Sequence, residues 1–73
     1  MYIRESMIKA LRKKYEAVIE EAKATAEVYL HRPVGIGEHP HFIEELDKLM
    51  GKIAEAEDKL TVVNQRFDLD IPF

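Results

Sequence analysis

The chain has 73 residues, no cysteine, a net charge of −3, and apolar and charged shares of 47% and 34%. The length allows one domain with a core worth only about 3–5 kcal/mol, and the missing cysteine excludes disulfides and thiolate metal sites. With so little core available, self-association becomes the default source of further burial, and the mild acidity disfavours a dedicated nucleic-acid binder.

The first predicted element is a helix from about residue 3 to 31. Ile8, Leu11, Tyr15, Val18, Ala22, Thr25 and Tyr29 advance in steps of three and four, which makes an a/d seam on one side of a helix. A second line beside it holds Ile19, Ala26 and Leu30, so the apolar stripe is wider than one neighbour requires. Tyr15 and Tyr29 belong to the seam and are expected to pack there with their hydroxyls at the edge.

Residues 32–40 read as a loop. Pro33 disfavours helical geometry at Arg32, and Gly35 and Gly37 supply turn conformations. Pro40 suits the first position of the next helix, with His39 before it as the cap. Val34 and Ile36 are expected to fold back over the end of the bundle. Gly35 and Gly37 alone form no phosphate-binding loop, because neither a preceding strand nor a third glycine is present.

The second predicted helix spans about 40 to 66. Its seam is Phe42, Leu46, Leu49, Ile53, Ala56, Leu60, Val63 and Phe67, again in steps of three and four. A flanking line of Ile43, Met50 and Ala54 runs beside it. Gly51 falls on the outward face, where it costs up to about 1 kcal/mol relative to Ala. The short loop dictates an antiparallel hairpin over residues 1–67. A single hairpin would leave both flanking lines wet. The expected architecture is therefore all-α: an antiparallel two-helix hairpin dimerising into a four-helix bundle through Ile19, Ala26, Leu30, Ile43, Met50 and Ala54.

Residues 68–73, Asp-Leu-Asp-Ile-Pro-Phe, have no helical period and read as an acidic-apolar tail. Such a tail fits a docking peptide for another protein, somewhat like the short acidic ligands of sliding clamps. The plainer expectation is that it covers apolar surface on its own bundle or on a second copy.

Two polar clusters invite chemistry. His31, His39 and His41 gather at the hairpin tip with Glu27, Glu38, Glu44 and Glu45, and imidazole with carboxylate suits zinc, iron or manganese. The Glu38-to-His41 spacing matches that of di-iron bundles, but there it lies within a helix, whereas here it straddles Pro40. A polar turn with capping and dipole-compensating residues is the expected reading, with no metal and no cofactor. Arg4, Lys9, Arg12, Lys13 and Lys14 form a basic cluster that would suit phosphate contacts. The antiparallel hairpin sets that cluster beside Glu55, Glu57 and Asp58, and cross-helix pairing is expected to cancel much of its field. No Ser-His-Asp set or buried carboxylate pair is evident, so no enzymatic activity is expected.

The run Val34-Gly35-Ile36-Gly37-Glu38-His39-Pro40, followed by a helix bearing Ala54-Glu55-Ala56-Glu57-Asp58-Lys59-Leu60, resembles small helical-hairpin proteins of large tailed phages, marine ones included. The resemblance covers most of the chain. It implies a phage-derived protein working in the host cytoplasm, and it supplies no activity and no functional residues. No apolar run reaches the roughly 18–20 residues of a membrane span, and the opening residues lack a signal-peptide core, which agrees with that setting.

Overall fold

The computed structural model describes residues 2–31 and 41–67. Two helices account for nearly all of them: α1, Tyr2–His31, and α2, Phe42–Arg66. They lie antiparallel and in contact. Tyr29 meets Phe42 edge-to-face near the tip, with ring centroids 5.5 Å apart. Lys59 Nζ stands 5.8 Å from the Tyr15 ring centroid, and Arg12 Nε donates to Asn64 Oδ1 at 2.9 Å. The first partner's number rises from pair to pair as the second's falls, reading from Arg12 upward, which defines the antiparallel register.

The seam of α2 packs as its spacing predicts. Leu49, Ala56 and Val63 are buried, and Phe42, Leu46, Ile53 and Leu60 are half-buried; Phe67, just past the helix end, is exposed. The seam of α1 is turned slightly from the expected line. Ile8 and Ala22 are buried and Tyr15 and Val18 half-buried, but Leu11 and Thr25 are exposed while Ala26 is buried. Thr25 accounts for part of this: its hydroxyl donates to the Glu21 carbonyl at 3.0 Å, a local bond that binds the side chain to its own helix. Small Ala22 and Ala26 instead let α2 approach closely, and Leu49 fills the space between them, with Tyr29, Leu46 and Ile53 around it.

α2 opens with His41 in the flanking position; its carbonyl accepts from the Glu45 N–H at 2.9 Å, and its side chain makes no cap bond. Glu44 and Glu45 in the first turn supply the negative charge that suits a helix start. Pro40 and His39, expected at this boundary, lie outside the described residues, as do the loop and the tail. A Cβ at Gly51 would meet nothing within 4 Å, so this residue faces open space as expected.

The lysines seen in ion pairs are paired along their own helix. Among the described residues the Lys–carboxylate pairs join neighbours along one helix: Lys13 with Glu16, Lys23 with Glu20, Lys48 with Glu45, and Lys59 with Glu55. The expected pairing of the basic cluster with Glu55, Glu57 and Asp58 is not among them. Partners three or four residues apart on one helix are already adjacent, so they need no approach from the other helix.

Candidate interaction surface

The core of this hairpin is thin. Among the described residues the buried apolar ones are Ile8, Ala22, Ala26, Leu49, Ala56 and Val63, half of them alanine, and no large side chain is fully enclosed. The radius of gyration is 16.7 Å, against about 11 Å for a compact domain of this length. The surface is correspondingly large. The chain exposes 6022 Å², where a folded monomer of its 8.5 kDa mass exposes about 4,650 Å².

The seven-residue repeat shows how the apolar part of that surface is arranged. Arg12, Ile19 and Ala26 lie on one line along α1, and Ile43, Met50, Glu57 and Asn64 on one line along α2. The Arg12–Asn64 hydrogen bond joins these two lines. Both therefore border the same side of the hairpin. Leu30 follows Ala26 by one turn, and Ala54 follows Met50 by one turn, so they extend the same face. Of the residues expected at an oligomer interface, Leu30, Ile43 and Met50 expose 57%, 76% and 48% of their surface, and Ala54 is exposed too. Ile19 is half-buried, and Ala26 lies within the hairpin's own core.

The other side is apolar in part as well: Val28, on the line of Glu21, and Val62, on the line of Lys48, expose 55% and 47% of their surface. At the same level along the rod it holds a groove of about 370 Å³ lined by Glu21, Thr25, Glu45, Lys48 and Lys52 above Ala22, Tyr29 and Leu49. Farther from the tip, Met7, Ala10, Leu11 and Lys14 line a shallow hollow on α1, with Ile3 exposed one turn before it. Sequence reading gave Leu11 to the seam and passed over this patch, although the steps from Ile3 to Met7, Ala10 and Lys14 were there to read.

The basic cluster does not gather into one stripe. Arg12 is turned to the α2 flank by Asn64, Lys13 pairs with Glu16 on its own helix, and Lys14 borders the hollow. Arg4 shares the line of Leu11 and Val18, which borders the side opposite Arg12. Cations spread around a helix do not add to a focused field.

His31 and His41 are engaged locally. His31 Nδ1–H donates to the Glu27 carbonyl at 2.9 Å and lies 3.1 Å from that residue's carboxylate. His41 Nδ1–H donates to Glu44 Oε1 at 2.8 Å. His39 lies outside the described residues, and among those described no group of three metal-ligating side chains converges. No described helix is long and apolar enough to cross a membrane.

No protein-family model, curated protein or solved structure matches the chain. The fold and the surface it presents carry the functional reading.

Proposed function

We propose that this chain is a small, non-enzymatic helical accessory protein that works as a homo-oligomer. The observation that carries the reading is the set of large apolar side chains left exposed among the described residues, with Leu30, Ile43 and Met50 on one side of the hairpin and Met7, Leu11 and Val62 on the other. The resemblance to tailed-phage hairpin proteins supports a setting in a host cytoplasm, and residues 68–73 serve either to cover apolar surface on the bundle or a second copy or to dock on a further protein partner. The scattered cations support this reading over nucleic-acid binding. Size-exclusion chromatography with light scattering at micromolar concentration tests it. A dimer or higher species is expected, and a folded, helical monomer throughout would overturn it.

A further inference from the structure

We propose that residues 68–73 occupy the apolar hollow at the end of the hairpin opposite the tip, packing on Met7, Leu11 and Val62 of their own chain within a rim of Arg4, Lys14 and Arg66. The segment lies outside the described residues. The proposal rests on reading it as a cover for apolar surface on the bundle, and adds the site. It is independent of self-association, for which Leu30, Ile43 and Met50 stay uncovered.

The first observation is position. Met7 and Lys14 share the line of Glu21, Arg4 and Leu11 that of Thr25, Val62 that of Lys48, and Arg66 that of Lys52. Glu21, Thr25, Lys48 and Lys52 all line the charged groove. The apolar residues and the cations therefore lie on one side of the hairpin, where Met7, Leu11 and Val62 are exposed. On the opposite flank the lines at this end carry Glu5, Arg12, Glu57 and Asn64, a polar surface.

The second is reach. The Arg12–Asn64 bond sets Arg66, the last residue of α2, about level with Ala10, so the chain leaves α2 beside the hollow. Packed helices lie about 8–10 Å apart, and the segment spans about 20 Å when extended. Met50 lies about 26 Å back along α2 from Phe67 at helical rise, and Ile43, Leu30 and Val28 are nearer still to the tip. The hollow is thus the exposed apolar site within range.

The third is chemistry. An extended backbone, which Pro72 favours at Ile71, sets Leu69, Ile71 and Phe73 on one face and Asp68 and Asp70 on the other. With the apolar face on the hollow, the acids stand at its edge, where long cationic side chains reach them. Apolar burial supplies the attraction, and opposite charges fix the place. Because α2 runs toward the start of α1, the segment passes Met7 first and Arg4 after it.

Nuclear Overhauser contacts in the full chain test the assignment. The methyl groups of Leu69 and Ile71 are expected to show them to those of Met7, Leu11 and Val62. The same contacts are expected to vanish from an isotope-filtered spectrum of mixed labelled and unlabelled chains, which reports contacts between copies. Absence of the contacts, contacts to Leu30 or Met50 in their place, or contacts between copies alone would each overturn the proposal. Asp68→Lys with Asp70→Lys, its helicity checked by circular dichroism, is expected to weaken the contacts about twofold or more as attraction turns to repulsion. Undiminished contacts in that variant overturn the role of the cationic rim. Sedimentation equilibrium on the same sample reads self-association separately: a monomer that keeps the contacts overturns the oligomer and leaves this assignment standing.

Discussion

Leu49 and Gly51 stand two positions apart on α2 and face opposite surroundings. Leu49 is buried between Ala22 and Ala26, with Tyr29, Leu46 and Ile53 packed around it. Leu49→Ala is expected to lower stability by about 2–5 kcal/mol, read from urea unfolding. Gly51 faces open space, so a methyl group there meets nothing, and the gain is that of removing a flexible residue from a helix interior. Gly51→Ala is expected to raise stability by up to about 1 kcal/mol in the same assay. Both environments were legible beforehand. Leu49 sits on the seam, and Gly51 falls opposite it by helical period alone. What could not be read at this scale was which side chains reach a neighbour. Arg12 belonged on composition to a basic cluster, yet its bond to Asn64 depends on how far α1 is rotated, and rotation is a property of two helices together.

At the scale of the helix, spacing specified α2 better than α1. The α2 seam carries large residues at nearly every step, so one rotation buries or half-buries all of its residues within the helix. On α1 the line of Leu11, Val18 and Thr25 competes with that of Ile19 and Ala26. The alanines decide the contest, because they permit the closest approach, and Thr25 gives up little by bonding to Glu21. A hydrophobicity pattern counts Ala and Leu as alike and misses this steric choice. The same limit explains why Lys13, Lys23, Lys48 and Lys59 pair along their own helix: spacing within each helix offers nearer partners. Tyr29 on Phe42, Lys59 on Tyr15 and Arg12 on Asn64 are contacts that cross between the helices and fix the register. A double-mutant cycle with Arg12→Ala and Asn64→Ala is expected to give a coupling of about 0.5–1.5 kcal/mol, the range of a charge-assisted bond weakened by exposure. Additivity of the two single effects would remove this pair from the list of register contacts.

For the whole molecule, thin core and wide surface have a common origin. Two parallel rods touch along one line, and a single line can enclose only small residues deeply. Sequence alone indicated surplus apolar lines; that those of Ile19 and Met50 share a side follows from antiparallel packing through the two seams, and the Arg12–Asn64 bond agrees. Association stabilises the folded state by mass action, so the thermal midpoint is expected to climb with protein concentration. Differential scanning calorimetry across a hundredfold dilution checks this; a constant midpoint would speak for a hairpin stable in isolation.

The charged groove has a consequence for any such pair. Covering this flank would strip water from Glu21, Glu45, Lys48 and Lys52, so a pair that leaves the groove open keeps these four charged side chains hydrated.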